Sequence, residues 1–366
     1  MSRFAPIEAA VARIEANGLN RKLRQLRMEG SVTGQLDGQP VTVFCSNDYL
    51  GLAQHPDVQA AFQGSGAGAS RLISGNRPVH EQLEARLSEM FGRPATLFSS
   101  GYHANLALMS TVVGEGDVVA SDALNHASLI DGLRLSRARR IILEHGCAEG
   151  IPPGIRLVVA EGVYSMDGDI LDLKHYCGDH WLAVDEAHGF GVLGPDGLGA
   201  AAAQGVAPDF VVGTLGKAIG TYGAFVVGPP ALRQLLISKG RSFIFTTGIP
   251  EPIAAASMVA IGLADEDRRA KLSQNVRRLR EGLADLHITT LGDAHIVPIV
   301  LGPRTMKVAD GLLERGFWAA GIRAPTVAPG SERIRITVSA GHTADQIDGL
   351  IEALVKVLKE TEHELA

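Results

Sequence analysis

The chain has 366 residues, 46% of them hydrophobic and 20% charged, and a formal net charge of −6. This is an ordinary globular composition, and its acidity argues against nucleic acid as the main partner. No apolar run approaches the roughly 20 residues a membrane-spanning helix needs. The acidic residues and missing long apolar stretch in MSRFAPIEAAVARIEANG argue against a secretory leader. Cys45, Cys147 and Cys177 form no C-x-x-C pair, so neither a disulfide framework nor a Cys-rich zinc site is expected, and a reducing cytoplasm fits. The 43 glycines cluster in loops after apolar runs, which suggests close approaches of backbone to ligand or backbone.

Residues 5–27 read as an amphipathic helix marked by Val11, Ile14 and Leu19 and ending in the basic run NRKLRQLR. Residues 41–52 are a short strand running into the polar turn SNDYLGL. Residues 64–76, GSGAGASRLISGN, are glycine-rich but too patterned for a linker. A helix follows with Val79, Leu83, Leu87 and Phe91 on one face. His80 and Glu81 lack the second histidine of a zinc-protease motif, so no metal is read there.

Residues 95–113 read as strand, tight turn and helix, and the turn Ser99-Ser100-Gly101-Tyr102 sets a helix N-terminus where backbone N–H groups favour phosphate. Residues 117–136 repeat the pattern, with a helix entered near Asn125 to Ser128. Gly189 to Gly194 spells G-x-G-x-x-G after a strand, but Pro195-Asp196-Gly197 prevents the helix a dinucleotide site requires. Residues 211–227, VVGTLGKAIGTYGAFVV, read as strand, glycine-rich turn and strand, with Lys217 in the turn. A buried strand end desolvates such an amine, lowers its pKa and favours nucleophilic chemistry. From about Asp265 a charged helix opens a run of alternating helices and strands. There Arg333, Arg335 and Thr337 fall on one face of an expected edge strand, opposite Ile334, Ile336 and Val338. The expected division is an N-terminal helix and strand segment (1–44), a large domain (45–264) and a small C-terminal domain (265–366).

Asp185 and His188 in WLAVDEAHG, followed by Lys217 in its turn, resemble the pyridoxal-phosphate (PLP) enzymes of the aspartate aminotransferase fold. SNDYLGL, GYHAN, NHAS, EGVYSMDGDI and the R-x-R-x-T of 333–337 extend the likeness from about Arg21 to the end, toward the α-oxoamine synthases. The resemblance implies an α/β PLP-dependent transferase of fold type I. Its large PLP-binding domain has a mainly parallel sheet flanked by helices, and its small C-terminal domain is α/β.

By the same resemblance, Lys217 bonds the cofactor, Asp185 faces its ring nitrogen, His188 its phenolic oxygen, and His126 stacks on the ring and contacts substrate. These four are the catalytic set. Gly101 and Tyr102 would cradle the phosphate, and Ser165 and Thr214 would also bind the cofactor near Glu161. Thr246 and Thr247 would reach the phosphate of a neighbouring subunit, which implies a homodimer with shared sites. Arg21, Asn47, His126, Arg335 and Thr337 would contact substrates, with Arg335 on the amino-acid carboxylate, a task suited to its planar fork. Residues 145–155 look shorter than the family norm.

The implied reaction is decarboxylative condensation of an amino acid with an acyl thioester of coenzyme A or a carrier protein. GIRAPTV (321–327) and SAGHT (339–343) look most like the biotin-pathway enzymes that join L-alanine to a pimeloyl group. Glycine with an acetyl thioester, as in 2-amino-3-ketobutyrate coenzyme A ligase, is the near alternative. An aminotransferase on the same fold is the more distant one.

Overall fold

The structure, a computed structural model, describes residues 2–362. Met1 and residues 363–366, the outermost positions of the two terminal segments, lie outside them. Among the described residues the largest sheet has seven strands, in the spatial order Ala95–Phe98, Ala224–Val227, Phe210–Thr214, Trp181–Asp185, Leu157–Glu161, Val118–Asp122 and Arg139–Leu143. Ala224–Val227 runs antiparallel to both of its neighbours, and the remaining pairs are parallel. Leu157–Glu161 and Phe210–Thr214 are buried at every position, as their unbroken apolar runs require of strands covered on both faces.

One face packs Phe98, Leu108, Leu133, Val159 and Val212 under the helices Gly101–Val112 and Ala127–Ser136. The other face packs Leu97, Val211 and Phe225 against Phe44, Leu83 and Leu87. Each leucine so buried contributes about 1.5–3 kcal/mol. Gly213 makes this possible locally, because a Cβ there would lie 2.2 Å from Cζ of the fully buried Phe225. The helix Pro78–Phe91 presents the expected stripe, with Leu83 and Leu87 fully buried, and stops at Gly92 in the left-handed region (φ +65°).

The hairpin read around Lys217 is present, with Ala224 opposite Thr214 and Val227 opposite Val211. The G-x-G-x-x-G run is no dinucleotide loop. Gly191 and Gly194 turn at φ +82° and +74°, and the next α-helix, Ala200–Ala203, begins only after the turn Pro195–Gly197.

Two expectations are corrected. The first helix is Ala5–Ala16, not 5–27. Gly18, at φ +63°, turns the chain, and residues 17–25 carry no helix. Val11, Ile14 and Leu19 are exposed rather than packed. The strand Arg333–Thr337 is not an edge strand. It is the middle of a three-stranded antiparallel sheet, between Ile296–Val300 and Ala320–Ile322, and is buried throughout. Phe317–Trp318 pairs in parallel with Gln39–Val43, so an early strand joins the last third of the chain.

Candidate active site

Asp122, Glu161, Asp185 and Thr214 are each the last residue of a strand in the parallel part of the large sheet. Four apolar strands thus deliver four polar side chains to one sheet edge, the carboxyl edge at which open α/β sheets bind ligands. The turn after Thr214 carries Lys217 to the same edge. Thr214 Oγ1 fixes that turn, donating to the Gly223 carbonyl (3.0 Å) and accepting from the Gly216 N–H (3.2 Å).

Lys217 Nζ lies 2.7 Å from His188 Nε2, and His188 Nδ1 lies 2.6 Å from the Tyr49 hydroxyl. Burial brings the lysine pKa down to about 8, against the opposing pull of Asp185 and Glu161. Burial, then the nearby lysine, holds His188 well below the ordinary histidine range, so its ring is neutral. The Tyr49 hydroxyl is pushed up to about 12 by burial and remains a phenol.

Asp185 is 5% exposed and fully engaged. Oδ1 accepts from the Ala187 N–H (2.9 Å) and Oδ2 from Asn105 Nδ2 (2.7 Å). Glu161 accepts the His126 backbone N–H (2.6 Å), and burial followed by the Asp185 charge raises its pKa well above the carboxylate range. His126 caps the helix Ala127–Ser136, with Nδ1 2.8 Å from Ser128 Oγ.

Arg335 closes the site from the smaller sheet. Its Nε donates to the Ser165 carbonyl (2.5 Å) and Nη2 to Asn47 Oδ1 (3.3 Å). Asn47 also receives the Tyr49 hydroxyl (3.1 Å), so hydrogen bonds run unbroken from Lys217 through His188, Tyr49 and Asn47 to Arg335. Thr337 is on the same strand, and its Oγ1 is buried without a hydrogen-bond partner among the described residues. Arg333, by contrast, is spent on an ion pair with Asp167 (2.5 Å).

Gly101 opens the helix Gly101–Val112, which Ser100 caps through the His103 N–H. The Gly101 and Tyr102 N–H groups have no intrahelical acceptor, and a Cβ built on Gly101 would meet nothing within 4 Å. The Tyr102 hydroxyl itself is bound to Asp131. Arg21 sits apart, on a cleft of about 470 Å³ that it shares with Arg24, Met306, Trp318 and Arg323. A neighbouring cavity of about 520 Å³ is lined by Leu124, Ser165, Asp167 and Arg333, and residues 324–326 border both. Thr246 and Thr247 make no hydrogen bond to Lys217 among the described residues. They lie in the loop after Arg241–Ile244, where Gly248 N–H donates to the Ala69 carbonyl of the glycine-rich segment (2.9 Å).

The structure adds three residues given no role from the sequence. Tyr49 and Asn105 lie inside quoted motifs, but their partners His188 and Asp185 are 139 and 80 positions away. His295 is fully buried, edge-on to the Tyr49 ring at 4.0 Å, with both ring nitrogens unpartnered among the described residues. Burial and then Arg335 bring its pKa down to about 3.

This set of residues fits PLP. A desolvated amine, a buried acceptor-only carboxylate and an open helix N-terminus line one sheet edge, matching the aldehyde, the protonated ring nitrogen and the phosphate.

The sequence and fold comparisons agree with that chemistry. The model of the aminotransferase class I and II family matches residues 39–354. The 8-amino-7-oxononanoate synthase of Methylococcus capsulatus is 45% identical, over 94% of this chain and 96% of its own. A serine palmitoyltransferase variant from S. paucimobilis with bound PLP and myriocin superposes with a TM-score of 0.90 at 29% identity, covering 98% of this chain and 99% of its own. The 8-amino-7-oxononanoate synthase structure from Francisella tularensis gives 0.77 at 29% identity, over 89% and 99%. The chain belongs to the class I and II aminotransferase family and, within it, to the 8-amino-7-oxononanoate synthases.

Proposed function

We propose that this chain joins L-alanine to a pimeloyl thioester, releasing 8-amino-7-oxononanoate, CO2 and the free thiol of coenzyme A or a carrier protein, with PLP as cofactor. The observation that carries the reading is the buried Lys217 amine, held on His188 beside Asp185 and linked to Arg335 by hydrogen bonds. PLP, when bound, supplies an electron sink for the charge that develops at the amino acid's Cα.

The residues that would hold it are Lys217, Asp185, His188, Gly101, Tyr102, Ser165 and Thr214, with Thr246 and Thr247 serving the site of a second copy. Asp185, fixed in place by the two N–H donors it accepts, would face the ring nitrogen. Burial brings the Lys217 pKa down to about 8, so a free amine is within reach both to attach the cofactor and to take the Cα proton. Arg335, oriented by Ser165 and Asn47, receives the alanine carboxylate, and the orphaned Thr337 hydroxyl lies on the same strand. His126, which follows the strand Val118–Asp122 on the same carboxyl edge, contacts the reacting groups. Arg21 lines the cleft offered to the acyl chain.

Carrier choice, a homodimer with shared sites, and the division into segments 1–44, 45–264 and 265–366 are parts of the same proposal. Among the described residues, no helix is long and apolar enough to cross a membrane.

The test is product mass. Purified PLP-loaded protein is given pimeloyl-, acetyl- or succinyl-coenzyme A with L-alanine, glycine or L-serine. Pimeloyl with L-alanine is expected to give an aminoketone with loss of CO2. Condensation of glycine or serine instead would leave the residue roles standing and overturn the substrate assignment.

A further inference from the structure

The residues behind His126 fix more than its position. The Ser128 backbone N–H points at His126 Nδ1 (3.2 Å). A backbone N–H can only donate, so Nδ1 presents a lone pair and the ring proton is on Nε2. The Ser128 hydroxyl lies 2.8 Å from the same nitrogen. It accepts from Asn105 Nδ2 (2.9 Å), so its own hydrogen is free to go to His126. Asn105 cannot be turned round, because the same amide nitrogen faces Asp185 Oδ2 at 2.7 Å, and an ionised carboxylate only accepts. Its carbonyl Oδ1 is left buried and unpartnered among the described residues, the consequence of spending both amide hydrogens this way. Asn105 and Ser128 are each 1% exposed, so no bulk water competes for these bonds.

We infer that Asp185, Asn105 and Ser128 form a one-way hydrogen-bond chain that locks His126 in its Nε2–H tautomer, making it a fixed donor toward substrate rather than a base. Asn105 and Ser128 are positioning residues in this scheme. The charge of Asp185 orients the amide, the amide orients the hydroxyl, and the hydroxyl and the Ser128 N–H together fill Nδ1. Among the described residues nothing hydrogen-bonds Nε2, and the outer side of His126 is open. An N–H held there suits a carbonyl or carboxylate oxygen of the substrates, most of all a thioester oxygen that gains negative charge as the carbon–carbon bond forms. No proton changes hands at His126, so the Cα proton falls to Lys217. Desolvation lowers the His126 pKa against the pull of Asp185, and Lys217 adds to the lowering, which agrees with a ring that stays neutral.

The inference rests on the proposed reaction only for what His126 faces, so its test is made without substrate. The full-length protein, cofactor-free and PLP-loaded, is labelled with 15N-histidine, and long-range 1H–15N spectra are recorded from pH 6 to 8. His126 is assigned from the signals lost in His126→Asn. The expected result is a protonated Nε2 and an unprotonated Nδ1 throughout. Ser128→Ala, which removes the hydroxyl donor but keeps the backbone N–H, is expected to leave Nε2–H the major form with a measurable share of Nδ1–H and to lower kcat/KM about tenfold, with circular dichroism unchanged. A proton on Nδ1 in the wild-type protein, or a doubly protonated ring at pH 7, would overturn the chain. So would a Ser128→Ala protein with an unaltered His126 signature. A failed condensation assay with the expected tautomer would remove the substrate assignment and leave the lock intact.

Discussion

At the scale of single residues, His145 shows how charge ties the site together from behind. Its ring bridges Asp122 (2.9 Å) and Asp169 (2.8 Å), joining the end of the strand Val118–Asp122 to the turn that follows Ser165. Those two hydrogen bonds raise its pKa to about 10 despite partial burial. The unfolded chain releases this proton near 6.5. Between those values the folded state binds one more proton than the unfolded, so the stabilisation is full below about 6.5 and is lost as pH rises toward 10. Thermal denaturation from pH 6 to 10 should therefore show a falling Tm, and His145→Asn should lower Tm at pH 6.5 and flatten that fall. Equal pH slopes for the two proteins would show that the bridge carries no linked proton. The same scale separates what sequence reveals from what it hides. Lys217, Asp185 and His188 are legible because each ends or follows an apolar strand. Asn105 and Tyr49 are not, since their roles depend on partners 80 and 139 residues away. Arg335 and Arg333 look alike in sequence, and only the position of Asp167 shows that one is consumed in an ion pair.

At the scale of elements, the turn between the two strands of the lysine hairpin is set by glycine. Gly220 has φ +70°, and a Cβ there would lie 2.4 Å from the backbone nitrogen of Ala53. Backbone cannot yield as a flexible side chain can, so both strain and overlap must be relieved by moving the turn. Gly220→Ala should cost about 2 kcal/mol or more in urea unfolding and should lower PLP occupancy by displacing Lys217. Wild-type stability and occupancy would mean that the turn is not rigid. Strand and helix positions across the large sheet were readable because buried parallel strands give unbroken apolar runs. The sequence overstates the N-terminal helix because Val11, Ile14 and Leu19 keep a helical spacing across Gly18, which breaks it. The sequence points the strand Arg333–Thr337 to an edge because alternating arginines suggest solvent. Burial of both arginines, with acceptors at Asp167, Ser165 and Asn47, removes that inference.

At the scale of the molecule, a single copy leaves conspicuous apolar surface uncovered. The helix Ala5–Ala16 has no buried residue, and Ile7, Ile73 and Phe245 are 63%, 81% and 71% exposed. Ile73 and Phe245 belong to the two loops that Gly248 joins, the loops bearing the glycine-rich segment and Thr246. Covering these residues with a second copy would remove a liability, and it is the arrangement that the proposed shared sites require. Light scattering should give a mass about twice the 38.6 kDa of one chain. A monomer with full activity would contradict shared sites.

The central claim is that Lys217 is the residue that holds PLP, and peptide mass mapping after borohydride reduction tests it most directly. Reduction fixes the cofactor to its amine, and digestion then locates the added mass. The account predicts a phosphopyridoxyl group on the peptide containing Lys217, absent in Lys217→Ala together with the visible absorbance and the condensation activity. The added mass on another lysine, or an active and coloured Lys217→Ala protein, would contradict it.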